Sequence, residues 1–351
     1  MNERAVTRAI ERWFAGHARD LPWRETDSAG MRDPYRALVS EFMLQQTQVS
    51  RVLEKFGAFI ERFPDLHALA SAPEDDVLAV WSGLGYYSRA KRLHAAARAV
   101  VEHHGGIVPS DVDALLTLPG VGRYTAGAIA SMVFGERAAL VDGNVQRVFV
   151  RLYGEELALG ARDTERWAWE RAESFVRTAG EPGVFNEGLM ELGATVCTPR
   201  SPSCLVCPVR ERCAACAQGR QEELPLPKAR AKRREVWHGV AVCVDDGRVL
   251  LRKRDDSGLW AGMWAPPSVE RTDHEPDGLE IGAIVGGETG GEVHRFTHET
   301  THRAVRFRVF EVKGGRPGEG DRWCSLPDLK GLGVSNAHLR IVKRALGSAE
   351  S

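Results

Sequence analysis

No stretch of about 18 uncharged apolar residues occurs anywhere in the chain, so nothing in it reads as a membrane-spanning helix. The opening residues, Met1 to Glu11, alternate charged with apolar side chains and lack the apolar core of a secretory leader. Net charge is almost missing too. With 47 Lys and Arg against 48 Asp and Glu, a bulk attraction to a polyanion is excluded. The balance is uneven, since residues 1–225 carry 26 basic against 30 acidic side chains (−4) and residues 226–351 carry 21 against 18 (+3). Any hold on nucleic acid must therefore come from local arrangement. Lysine is wholly absent from residues 92–227. The seven cysteines are an odd number and four crowd into one short stretch, which speaks against a secreted disulfide framework and for a metal site in a reducing compartment. A soluble protein that remains where it is made is the expectation.

What is present divides into two parts. At 351 residues and 43% hydrophobic content the chain is long enough for two cores. From residue 4 to about 215 apolar residues recur at helical spacing, as in Val6, Ile10, Trp13 and Phe14, and Gly, Pro and Asp breakers separate the runs. The first 220 residues are expected to form an all-α domain. Residues 221–235, with two prolines and five basic side chains, read as a linker. Beyond it, runs such as Val236–Val244, Val249–Arg254 and Ala304–Val312 between Asp-Gly and Gly-Gly turns predict a mixed α+β domain over 236–351.

Cys197, Cys204, Cys207 and Cys213 follow the spacing C-x6-C-x2-C-x5-C, with Pro199, Pro202 and Pro208 turning the intervening loops back. Four thiolates so placed bind zinc or a [4Fe-4S] cluster. Zinc sites usually pair two C-x2-C knuckles and these four cysteines contain only one, Cys204 with Cys207, which favours the cluster. Cys216 is a conceivable fourth ligand in place of Cys213, and Cys243 and Cys324 read as ordinary strand residues.

Two carboxyls stand out. Glu41 lies on the apolar stripe formed by Leu38, Phe42, Gln45, Val49 and Val52, where a carboxyl has a raised pKa and can act as a general acid; the plain alternative is an edge residue reaching solvent. Asp142, in Val-Asp-Gly-Asn-Val, precedes a helix whose N–H groups favour an anion, so it should stay ionised, although an N-cap aspartate is often only a cap. Carboxyls with divergent pKa values fit glycosidic bond cleavage. Between them in sequence, Leu118-Pro-Gly-Val-Gly-Arg-Tyr-Thr-Ala126 joins two helices through Gly120 and Gly122, exposing backbone N–H groups to a phosphate without any lysine.

The cysteine loop, the glycine hairpin and the carboxyl pair together resemble the endonuclease III superfamily of helix-hairpin-helix DNA glycosylases, and within it the MutY-type adenine DNA glycosylases. The resemblance implies that Glu41 protonates adenine and that Asp142 stabilises the oxocarbenium-like sugar, with Tyr124 and Asn144 in support. It implies a structural [4Fe-4S] cluster on the four cysteines that helps present Arg200, Arg210 and Arg212 to DNA. Gln46 and Tyr86 match residues that wedge into the duplex during base flipping, and Trp23, Arg24 and Glu187 match the adenine pocket. The pyrimidine-excising branch uses a hairpin lysine to form a Schiff base; Tyr124 stands at that place here, and Gln146 replaces a lysine of some adenine enzymes.

Residues 249–267 resemble the family's Nudix-like C-terminal domain, without the G-x5-E-x7-R-E-x2-E-E signature that holds magnesium, so this domain should bind and not hydrolyse. Phe296, Thr297 and His298 resemble the loop that recognises oxidised guanine, Phe296 packing at the base stack and the other two bonding the altered edge. The implied partner is double-stranded DNA with adenine opposite 8-oxoguanine, met by a monomer in the bacterial cytoplasm, at the nucleoid. A bifunctional pyrimidine glycosylase and lyase, or a non-catalytic iron–sulfur DNA-binding module, are the competing readings.

Overall fold

The computed structural model describes residues 1–227, 233–300 and 302–347. Part of the linker expected at 221–235 lies outside the described residues. Two compact units emerge, and their membership differs from a linear cut near residue 220: the first comprises Met1–Leu53, Asp65–Ala70 and Ala95–Arg230, the second Glu54–Pro64, Ser71–His94 and Ala231–Ser351. Periodicity reports which residues are helical but not which partner each helix chooses. Among the described residues no helix is long and apolar enough to cross a membrane.

The first unit is helical. Its opening helix, Glu3–His17, starts where the Asn2 side chain accepts from Ala5 N at 3.1 Å, and it buries Val6, Ile10, Trp13 and Phe14 along one face. These pack into a core with Phe149, Phe175, Phe185, Leu189 and Leu192 from the helices Gly143–Tyr153, Arg162–Thr178 and Pro182–Thr195. Phe175 stacks between Phe149 and Phe185 at centroid distances of 5.3 and 5.8 Å. The helix Pro34–Leu44 is capped by Asp33, which accepts from Tyr35 N, with proline at its first position, so the chain enters it at a fixed angle. The short helix Val112–Leu116 and the helix Arg123–Phe134 flank the turn at Gly120, whose φ of 79° calls for glycine.

In the second unit a four-stranded sheet runs in the order Ser268–Arg271, Arg234–Val242, Arg303–Lys313, Glu288–Glu299. The middle pair is parallel, with Gly239 opposite Arg308, and the outer pairs are antiparallel, with Phe296 opposite Phe307. A second sheet is built on Arg248–Lys253. The helix Asn336–Ala345 presses Ala337, Ile341 and Val342 onto Val240, Val305, Phe307 and Val309. The helical segment of this unit is tied in by Tyr87, whose hydroxyl donates to the Val334 carbonyl, and by Asp75, which pairs with Lys253 at 2.7 Å.

Candidate active site

A pocket of about 210 Å³ opens in the first unit, lined by Glu41, Asp142, Tyr124 and Asn144 together with Trp23, Arg24 and Glu187. Seven residues spread over 165 positions of sequence thus meet at one cavity. Gln46 and the hairpin glycines lie elsewhere in the same unit: Gln46 is exposed with φ at 55°, and Gly120 and Gly122 are exposed at the hairpin turn.

Glu41 comes from the middle of the helix Pro34–Leu44, between Leu38 and Phe42, both fully buried, and is itself only 5% exposed. Burial pushes its pKa up to about 7. The nearby Tyr124 hydroxyl, which donates to Met190 Sδ at 3.3 Å, and the Arg24 charge act in the opposite direction, while Glu187 and Asp142 add to the rise. Its Oε2 has no hydrogen-bond partner among the described residues. A buried carboxyl oxygen left open at the wall of a cavity is a donor site waiting for an acceptor, because the neutral form carries a proton that no protein group takes.

Asp142 caps the helix Gly143–Tyr153. One carboxyl oxygen accepts from Val145 N at 2.7 Å and the other from the Asn144 side-chain amide at 2.8 Å. The cap geometry expected from sequence is present, and burial raises the Asp142 pKa above the ordinary value, against the lowering effect of those donors and of Arg147. The helix terminus alone does not decide the charge, since desolvation acts on both carboxyls. What separates them is hydrogen bonding: Asp142 has donors on both oxygens and Glu41 does not.

Asn144 is held in turn. Arg147 donates to its Oδ1 at 2.8 Å and to the carbonyls of Gly193 and Cys197 at 2.7 and 2.8 Å. Gly193 has no side chain because none fits: a Cβ there would stand 2.7 Å from that of Asn144.

The far wall is a relay of charges. Arg24 bonds Glu187 through Nε and Glu191 through Nη2, both at 3.0 Å; Arg32 reaches Glu187 at 2.6 Å; Arg19 clasps Glu191 with two nitrogens. Glu187 and Glu191, one turn apart on the helix Pro182–Thr195, are buried, so each needs its arginines. Arg19, Arg32, Glu191 and Arg147 escaped the sequence reading. The spacing of Glu187 and Glu191 was a visible hint, but the arginines that answer them lie 155 to 172 residues away.

The cysteines follow the helix Pro182–Thr195. Cys197, Cys207 and Cys213 pack against the unit's core, and Cys204 stands in the intervening short turn. Burial and the neighbouring thiols, Cys197, Cys213 and Cys204, push Cys207 up to about 12, as expected where sulfurs gather closely. Arg151 lies fully buried beside them, with Nη1 3.3 Å from Cys197 Sγ and further bonds to the carbonyls of Thr198, Pro199 and Leu224. Among the described residues no three ligand side chains converge on a single-ion point. A multi-iron cluster, each iron taking one thiolate, does not require that, and a buried guanidinium suits its negative charge.

In the second unit Tyr86 and His298 line one cleft of about 510 Å³. Their partners in the expected recognition triplet do not join them. Glu288–Glu299 is a regular strand there, so side chains alternate: Phe296 stacks on Phe307 at 4.6 Å with nearly parallel rings, beneath the Arg340 guanidinium, while Thr297 is exposed on the opposite face. Phe296 is half-buried and packs against the core of this unit, and Thr297 and His298, adjacent in the strand, point to opposite faces.

Comparison with known proteins agrees with this geometry. Residues 39–174 match the HhH-GPD superfamily of base excision DNA repair proteins, residues 239–344 a NUDIX domain, and residues 197–213 the iron–sulfur binding domain of endonuclease III, so the thiol site takes an iron–sulfur cluster. An adenine DNA glycosylase of Rattus norvegicus is 40% identical over 316 residues, 76% of this chain and 60% of that protein. One from Buchnera aphidicola (Acyrthosiphon pisum) is 32% identical over 271 residues, 77% of this chain and 76% of that protein. The chain spans about three fifths of the length of the rodent relatives it matches. Among solved structures, a thermostable thymine-DNA glycosylase aligns with a TM-score of 0.54 at 32% identity, over 62% of this chain and 97% of that one. An endonuclease III–DNA complex aligns at 0.50 and 21% identity over 62% of this chain and 98% of that one, a likeness of fold alone.

Proposed function

Because the chain belongs to the adenine DNA glycosylase family of helix-hairpin-helix base excision repair proteins, we propose that it hydrolyses the N-glycosidic bond of adenine in duplex DNA where that adenine stands opposite 8-oxoguanine. The observation that carries this is the Glu41 carboxyl, neutral up to about pH 7, with one oxygen unpartnered at a cavity that also holds Asp142.

The geometry supports a division of labour. Glu41 gives its proton to a ring nitrogen of the flipped adenine, so the base departs neutral as the bond to the sugar carbon breaks. Asp142, fixed by Val145 N and Asn144, faces the positive charge left on the sugar. Water then adds to that carbon, and its surplus proton passes to a carboxylate, restoring the site. Trp23 supplies an apolar wall, and the Arg24–Glu187 pair offers donors and acceptors for an adenine edge. The exposed N–H groups around Gly120 and Gly122 suit a DNA phosphate. Four cysteines, Cys197, Cys204, Cys207 and Cys213, hold a [4Fe-4S] cluster that fixes their loop.

Among the described residues no lysine lines the pocket, which supports a monofunctional enzyme that leaves the DNA strand intact after base release. The preference for 8-oxoguanine rests on the second unit, where Tyr86 and His298 share a cleft fit for inspecting the opposite base. The test is single-turnover base release from duplexes carrying adenine opposite 8-oxoguanine, adenine opposite guanine, and an oxidised thymine. Adenine release that is fastest opposite 8-oxoguanine is expected; release of the oxidised pyrimidine with strand nicking would replace this reading by the lyase one.

A further inference from the structure

The cleft of the second unit has a third ring, Trp260, beside Tyr86 and His298. Tyr86 sits at φ 47° and Trp260 at φ 59°, left-handed backbone that bulky side chains avoid. Strain of this kind persists only where surrounding structure over-determines it, and it gathers at ligand sites. Trp260 is held by a bed of rings, its centroid 4.8 Å from His338 and 5.7 Å from both His238 and Phe307. His238 and His338 are wholly buried, and burial keeps both imidazoles uncharged. The fold thus spends backbone strain and two buried histidines on placing one indole at the wall of a cleft.

Trp260 and His298 stand 5.8 Å apart, centroid to centroid. Among the described residues neither the indole N–H nor a ring nitrogen of His298 has a protein hydrogen-bond partner, and both side chains line the cleft. Their chemistry differs. A neutral imidazole exposes one donor and one acceptor and can exchange them by changing tautomer, whereas an indole N–H can only donate.

Oxidation of guanine at C8 makes two changes on one edge: C8 gains a carbonyl oxygen, an acceptor, and N7 changes from acceptor to N–H donor. Resting on the reading that this unit inspects the base opposite adenine, we propose that Trp260 is a specificity-determining residue whose indole N–H donates to the C8 oxygen of 8-oxoguanine, while His298 accepts from the adjacent N7–H. His298 can adapt to either guanine by its tautomer. Trp260 cannot, because plain guanine presents a C–H where the indole needs an acceptor, so discrimination falls on the indole.

Trp260→Phe tests this, since it keeps an aromatic ring on the histidine bed while deleting the donor. Single-turnover adenine excision is measured for wild type and variant on duplexes with 8-oxoguanine, guanine or 8-bromoguanine opposite. The bromine fills the C8 position without a strong acceptor. The ratio of rates opposite 8-oxoguanine and guanine should fall roughly tenfold in the variant, the size of one specific base contact. Rates opposite guanine and 8-bromoguanine should change by less than about twofold. An unchanged ratio overturns the proposal. Equal loss on all three duplexes overturns it as well, because the ring then has only a structural part. A wild type without any preference for 8-oxoguanine would instead sink the opposite-base reading of the unit, and this inference with it.

Discussion

Glu41 can give a proton only while it holds one, so raising the pH should switch excision off along the carboxyl's own titration. The rise from 4.5 to about 7 corresponds to roughly 3 kcal/mol against the ionised form, at about 1.4 kcal/mol per tenfold. Most of that comes from burial among Leu38, Phe42 and their neighbours; Glu187 and Asp142 add, and Tyr124 and Arg24 subtract. The assay is single-turnover excision with enzyme in saturating excess over duplex, from about pH 5.5 to 9. The rate should level off below about pH 6 and drop about tenfold per pH unit above 7, reaching roughly a hundredfold loss at pH 9. Tyr124→Phe deletes the hydroxyl that pulls the pKa down, so the falling limb should move to higher pH even if the maximum rate drops. A wild-type profile that stays level to pH 9, or a limb that moves to lower pH in Tyr124→Phe, would refute the assignment of Glu41 as the acid.

Glu41→Gln should lose excision by at least about a hundredfold while its duplex dissociation constant stays near that of the wild type. The same change should alter stability with pH. The folded pKa of Glu41 lies above the unfolded one, so its protonated form contributes stability that is fully present below about pH 4.5 and lost as the pH rises through 7; thermal melts should show the variant several degrees more stable than wild type at pH 8.5 and equal to it near pH 4.5. Asp142→Asn keeps a side chain able to cap the helix and removes the charge, so excision should fall about a thousandfold with little change in melting temperature. Arg151→Met strands the Thr198, Pro199 and Leu224 carbonyls, and purified protein should contain less iron and absorb less in the visible than wild type, by iron analysis and spectrophotometry. Borohydride added during turnover should trap no efficient enzyme–DNA adduct, as judged by denaturing electrophoresis.

The candidate acid was legible because a carboxyl on an apolar helical stripe is a local contradiction, visible within a dozen residues. The cysteine spacing and the glycine hairpin are local too. What sequence could not show is how charges close over distance: Glu191 looks like an ordinary surface glutamate until Arg19 and Arg24 arrive from the other end of the chain. Asp142 shows a subtler limit, since a cap position predicts hydrogen bonds correctly but says nothing of how much solvent remains. At Phe296–His298 the alternation of an extended strand, which sends neighbours to opposite faces, is local and visible in the sequence, whereas the pairing of Phe296 with Phe307 is not.

The helix Gly143–Tyr153 explains why a cluster loop that touches no reacting atom belongs to this site. Its N-terminus carries Asp142 and Asn144, and one turn apart on its shaft lie Arg147 and Arg151, both buried. Arg147 spends its donors on Asn144, Gly193 and the Cys197 carbonyl; Arg151 spends its own on Thr198, Pro199, Leu224 and the Cys197 sulfur. A guanidinium taken out of water and then deprived of its acceptors is among the most costly groups a core can hold, at roughly 3–5 kcal/mol when a buried pair is broken. Neither arginine can therefore leave its carbonyls cheaply, and the loop backbone that supplies them keeps its path only while the four cysteines are tied together. If that loop loosens, Arg147 loses Cys197, Asn144 loses its anchor, and the amide that holds one Asp142 oxygen is free to turn. The position of the Asp142 carboxylate is thus set from two places along one helix, by a cap at its N-terminus and by the cysteine loop a turn or two behind it.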